Sequence, residues 1–188
     1  EAVARLEQAE KAMLELPHTA DGYAAAFEGI ETVYRKGRKA MADACDHPGD
    51  EAYHDWRKQV QRHWRHMALL NRAWPAAMEA RVVVAKELSD ILGDDHDLSV
   101  LLTRIEGVGS DKVRTVVAGA VRAAQEELRA RAMPLGERLY AARPAGMRRE
   151  IALYWHSACA LSRTETKAAA RDGHTAGASA GPAGERDS

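Results

Sequence analysis

Apolar residues recur along the chain at steps of three and four, and Pro, Gly, Asp and Ser cut this pattern into segments of helical length. A first helix is predicted over 2–16, closed by Pro17. Asp21 reads as the N-cap of a long helix over about 22–45. His47-Pro-Gly-Asp50 is a turn, and Asp50 caps a helix over about 51–70. Trp74-Pro75 opens a helix over about 76–92, which Gly93 ends from a C′ position. A short helix over about 95–106 leads into the loop Gly107-Val-Gly-Ser-Asp111. Ser110 or Asp111 then caps a helix over about 112–132, with Val113, Val117, Ala120, Ala124 and Leu128 on its apolar face. Pro134 opens a shorter helix to about 142, and Arg143-Pro-Ala-Gly146 turns into a last helix over about 147–166. No segment of useful length alternates at the strand period. Short connections make neighbouring helices antiparallel. The prediction is an all-α antiparallel bundle of about seven helices over 1–170, with a disordered tail over 171–188 that is rich in Ala, Gly and Ser.

Composition narrows the class. The 188 residues are 46% hydrophobic with a formal net charge of −1, which suits one globular domain and excludes a uniformly basic polyanion binder. No apolar run is long enough for a membrane span, and no secretory signal is visible at the start. The chain does not begin with Met, so a processed form or a fragment is expected. Two cysteines, Cys45 and Cys159, cannot build a disulfide framework and read as buried thiols in a cytoplasmic, reducing compartment.

The stretch that carries chemistry is Tyr53-His-Asp-Trp-Arg-Lys-Gln-Val-Gln-Arg-His-Trp-Arg-His66. On a helix, His54, Lys58, Gln61 and Arg65 fall within an arc of about 60°, which Arg57 and Arg62 widen to about 140°. Tyr53, Trp56, Val60, Trp64 and Met67 form a separate apolar arc. Within the segment only Asp55 offsets the positive charge. Stacked like charges destabilise a helix, so an anionic partner is the natural compensation. A second cluster, Tyr34-Arg-Lys-Gly-Arg-Lys39, places Arg35, Arg38 and Lys39 on one arc of the preceding helix. The stripe from His54 to Arg65 spans roughly 16 Å, which suits successive anionic groups better than one phosphate.

Leu92-Gly-Asp-Asp-His-Asp-Leu98 reads as a helix start, where the dipole favours carboxylates. His96-Asp97 also has the form of the His-Asp pair of metal phosphohydrolases. Glu51-x-x-His54 is the single motif of its kind, and His63 and His66 lie off the His54 arc, so no metal and no cofactor is expected. The sequence has no Walker A loop, no GxGxxG and no Gly-x-Ser-x-Gly.

Three blocks in order resemble the CHAD (conserved histidine α-helical) domains: Tyr34–Met41, Glu51–Val60 continuing to Arg65, and Leu88–Leu98. The resemblance covers about 20–165 and is similar mainly to the C-terminal of the family's two helical bundles. It implies an all-helical protein that binds inorganic polyphosphate through basic helix faces. It further implies partners such as a CYTH (triphosphate tunnel) domain or a second helical bundle, and association with polyphosphate granules. The residues it assigns are Arg35, Arg38, Lys39, His54, Arg57, Lys58, Arg62, Arg65 and His96. Gln61 departs from the family's usual Lys or Arg.

The resulting expectation is a binding module for polyphosphate or a similar linear polyanion, and not an enzyme. Its alternatives are a nucleic-acid-binding helical module, a phosphohydrolase using His54, His96 and Asp97, and a scaffold with a solvated basic face. Lys58 and Arg65 are expected to matter for binding, whereas Arg129 and Arg131, off both arcs, are expected to be dispensable. His54 is expected to take up a proton when an anion binds.

Overall fold

Five α-helices and one 3-10 turn make up residues 22–176, the part of the chain that the computed structural model describes, with side chains over 26–167. They are α1 (Gly22–Asp46), α2 (Asp50–Leu70), α3 (Pro75–Ile105), α4 (Asp111–Leu139) and α5 (Pro144–Ala176), with the 3-10 turn at Asn71–Ala73. Among the described residues the protein is all-helical. The predicted helix over 2–16 and residues 177–188 of the predicted tail lie outside the described residues.

The described residues hold fewer helices than about seven, and both excess boundaries within them fall at residues that oppose helices. Gly93 is expected to end one helix, yet α3 runs through it to Ile105. Leu88, Ile91, Leu92 and Asp95 are buried on both sides of it, and that burial outweighs the roughly 1 kcal/mol that a helical Gly costs. Pro134 is expected to open a new helix but sits inside α4. Here Ala132, Gly136 and Leu139 are buried on either side and hold the helix together across the missing N–H. The apolar face predicted for this segment is displaced as well. Val113 and Ala120 are exposed, and the buried side runs through Val121, Gln125, Ala132 and Gly136. Asp50 begins α2 without capping it through its side chain, whereas Ser110 does cap α4, its Oγ accepting from Val113 N–H. The last helix starts three residues early, at Pro144, and continues to Ala176, beyond the expected tail boundary at 171.

α2 is the central element, packed between α1 and α3, with α4 beyond α3 and α5 against α1. Its apolar arc is in the core: Trp56, Val60 and Met67 are fully buried, Tyr53 nearly so, and Trp64 packs at the edge. Two glycines let the helices close. A Cβ on Gly37 of α1 would land on the Tyr140 hydroxyl. One on Gly136 of α4 would lie 2.6 Å from Trp56 Cζ2 and 2.8 Å from Met41 Sδ. Gly136→Ala should therefore lower stability by about 1–3 kcal/mol even though alanine is the better helix former. Gly119→Ala, with nothing within 4 Å, should raise it by up to about 1 kcal/mol. Denaturant midpoints that shift in opposite directions for the two variants check this.

Among the described residues no helix is long and apolar enough to cross a membrane. Both cysteines are free thiols, but they are not buried as expected: Cys45 is exposed and Cys159 half-buried.

Candidate anion-binding site

The basic residues of α2 separate into a solvent-facing ridge and two flanks. Lys58, Arg62 and Arg65 are exposed along the ridge. Lys58 Nζ is 2.5 Å from Asp55 Oδ1, one turn back. Among the described residues Arg57, Arg62 and Arg65 form no ion pair. Trp56, Val60 and Met67 on the opposite side fix which residues face outward, so the ridge follows from core packing.

On the α3 flank, His54 and His96 come together. Their Nδ1 atoms are 3.2 Å apart and their ring centroids 4.5 Å apart at an interplanar angle of 32°. At that separation one Nδ1 donates and the other accepts. Partial burial holds His54 below the ordinary imidazole range. His96, Lys58 and Arg57 push in the same direction, and Asp55 opposes them. Arg57 lies over Gly93, whose Cβ would sit 4.0 Å from the guanidinium Nε. The glycine that reads as a helix end is thus a smooth place on α3 against which Arg57 lies.

On the α1 flank an open groove of about 620 Å³ is lined by Lys36, Lys39 and Lys58 together with Asp43, Glu51 and Asp55. The expected meeting of the two basic clusters is therefore partial. Lys39 and Lys58 share the groove, and Lys36 joins them, a residue the sequence arc leaves out. Arg35 and Arg38 do not line it. Arg35 is exposed and reaches Glu31 at 3.9 Å and Thr32 Oγ1 at 3.3 Å. Arg38 Nη1 donates to Ala142 O at 2.7 Å, beside the Tyr34 hydroxyl that donates to Leu139 O and Ala142 O. Carbonyls at a helix C-terminus lack internal partners, so Tyr34 closes the end of α4 at Leu139 O, and Arg38 holds the connection that follows at Ala142 O. Acids, expected to be scarce, are absent from the ridge apart from Asp55 but present in the groove.

The Asp94–Asp97 string is expected at a helix N-terminus but lies in the middle of α3. Its members face different ways. Asp97 lines a shallow outer hollow with Val100, Leu101 and Arg104. Asp95 is 2% exposed and receives Arg129 of α4, with Nε at 2.7 Å from Oδ1 and Nη2 at 3.3 Å from Oδ2. The same guanidinium donates to Asp50 Oδ1 at 2.5 Å and lies 4.4 Å from the Tyr53 ring centroid. Burial alone would lower the Arg129 pKa, but its bonds to Asp95 and Asp50 outweigh this and hold it above the usual value. Arg129 is thus built into the fold, a role that its place off both arcs does not reveal. Arg131 is exposed.

Asp97, next to His96 in the chain, lines that outer hollow, while His96 meets His54. Among the described residues no three His, Cys, Asp or Glu side chains converge as a metal ion would require.

Known proteins bear on this geometry in one way. The family model described as CHAD domain matches residues 1–106. That stretch begins earlier than the resemblance over about 20–165 and ends at Glu106, where α3 gives way to the turn before α4. It contains every residue of the ridge, both histidines of the pair and the α1 side of the groove. No curated protein and no solved structure matches the chain. A helical core with its ridge and paired histidines inside a match to more than half of the sequence makes the chain a member of the CHAD domain family.

Proposed function

We propose that the chain binds inorganic polyphosphate, or a linear polyanion of similar spacing, along the α2 ridge. The observation that carries this is the exposed row Lys58–Arg62–Arg65, flanked by Arg57, in which three guanidinium groups have no acidic partner among the described residues. Arg supplies planar, bidentate bonds to phosphate oxygens, and Lys supplies point charge. Release of condensed counterions would provide much of the driving force. Lys36, Lys39 and His54 extend the site on either flank, with His96 behind His54. Arg35 and Arg38 contribute long-range charge. The chain acts as a binding module and not an enzyme, in the cytoplasm and at polyphosphate granules. A CYTH domain or a second helical bundle alongside would lengthen the phosphate path.

The aromatic placement favours this reading over nucleic-acid binding. Base stacking needs exposed rings beside the charges, whereas Tyr53 and Trp56 are buried in the core.

The test is calorimetric titration with long-chain polyphosphate at two salt concentrations, with single-stranded RNA as competitor. Affinity should fall steeply with salt. Lys58→Glu combined with Arg65→Glu should remove most binding and flatten the log–log salt slope by about 1.4, roughly 0.7 for each phosphate no longer neutralised. Arg122→Glu with Arg131→Glu, both exposed on α4, should change little. Equal losses from both pairs, or preferential capture of RNA, would refute the site.

A further inference from the structure

Arg129 stands on α4, outside the matched stretch, and touches both helices that carry the histidine pair. Its partner on α2, Asp50, is one helical turn before His54, and Tyr53, under its guanidinium, is the residue next to His54. Its partner on α3, Asp95, is the residue next to His96. Successive helical residues point about 100° apart, so one side of this double contact is buried while the histidines meet at its edge. Core packing of Trp56 and Val60 with Leu88 and Leu92 holds the two helices together, and Arg129 adds a polar tie at the end that carries the histidines. Gln125, one turn before Arg129, adds bonds from Nε2 to Asp95 O at 3.2 Å and Ser99 Oγ at 2.9 Å, which fix α4 to α3 but not to α2.

We propose that Arg129 is a positioning residue for the anion site: by holding Asp50 and Asp95 on one guanidinium, it sets the offset of α2 and α3 that brings the Nδ1 atoms of His54 and His96 together. A pair at 3.2 Å carries one proton between its facing nitrogens; a second puts two N–H donors face to face. Contact with His96 therefore opposes protonation of His54, and an anion on the ridge is what offsets that opposition. The groups that act on His54 are His96 from α3 and Lys58, Arg57 and Asp55 from α2. Asp95 is turned away into Arg129, and Asp97 faces outward. Proton linkage at the site thus depends on a residue of α4 that touches no ligand. The last step rests on the anion reading; the pairing of the histidines does not.

The experiment is an imidazole NMR titration of the full chain without ligand, in wild type, Arg129→Lys and Asp50→Ala, followed by polyphosphate affinity as a function of pH. Lysine keeps a charge for Asp95 but lacks the fork that serves two carboxylates at once. Asp50→Ala removes only the exposed leg and keeps the comparison open should Arg129→Lys fail to fold. In wild type His54 should titrate below the ordinary imidazole range, held there by its partial burial and by His96 against it. In the variants the His54 titration should move up towards the ordinary range, with far-UV circular dichroism unchanged. The pH slope of affinity, roughly tenfold per pH unit for each proton taken up, should fall by at least half. A His54 titration that stays as low as wild type in both variants, with only melting temperature lowered, would reduce Arg129 to a structural strut and overturn the proposal. Absence of polyphosphate binding in wild type would refute the anion reading, and the ligand-free titration would still decide the role of Arg129.

Discussion

Arg129→Glu should destabilise the chain by at least about 3–5 kcal/mol, enough to unfold a large fraction of a domain whose total stability is about 5–15 kcal/mol. The wild-type guanidinium is 18% exposed and serves Asp95, itself 3% exposed, as well as Asp50. Reversal leaves Asp95 buried without its cation and adds a second carboxylate beside it. The Asp95 charge cannot move to water without separating α3 from α4. Urea unfolding followed by circular dichroism measures the loss. Arg131→Glu, two residues along the same helix and exposed, should stay within about 0.5 kcal/mol of wild type. Comparable midpoints for the two variants would mean that the Asp95–Arg129 pair contributes nothing net.

The contrast between Arg129 and Arg131 marks the limit of what periodicity can read. On α2 the pattern is nearly complete, because Trp56, Val60 and Met67 are large and apolar and define one inward direction; the outward ridge is then the remainder. The fold class and the histidine at the ridge's edge follow from the same arithmetic. On α4 the inward face includes Gln125, Gly136 and Arg129, and small residues such as Ala120 occupy the outward face. Hydrophobicity then points in the wrong direction. An inward polar residue is recognisable only with its partner, and Asp50, Asp95 and Arg129 are far apart in sequence. Arg38 and Lys36 show the same limit at the site. Both are basic and near each other on α1, but only the position of the connection between α4 and α5 decides that Arg38 is occupied by a carbonyl while Lys36 faces the groove. Local breakers mislead for a related reason. Gly93 and Pro134 weaken helices by amounts that burial on both sides exceeds.

Acid should weaken the fold through His63. This histidine is 2% exposed, with Nδ1 buried and unbonded, edge-on to Tyr34 at 5.3 Å between ring centroids. Burial lowers its pKa from 6.5 to about 4, and His66 and Arg81 add in the same direction. Between those two values the unfolded chain binds a proton that the folded chain refuses, so stability rises with pH. The contribution is complete above about pH 6.5 and is lost as pH falls towards 4, where both states are protonated. A shift of this size corresponds to about 3 kcal/mol, at 1.36 kcal/mol per pK unit. His54 and His66 are also held below the ordinary range and steepen the same limb. The comparison that isolates His63 is wild type against His63→Leu, by denaturant unfolding at several pH values from about 7.5 to about 4.5. Leucine fills a similar volume, leaves no buried nitrogen unpaired and does not titrate, so its curve should be flatter across the window and should cross above wild type on the acid side. Parallel curves would mean that His63 has a nitrogen partner able to accept its proton in the core and that the acid sensitivity originates elsewhere.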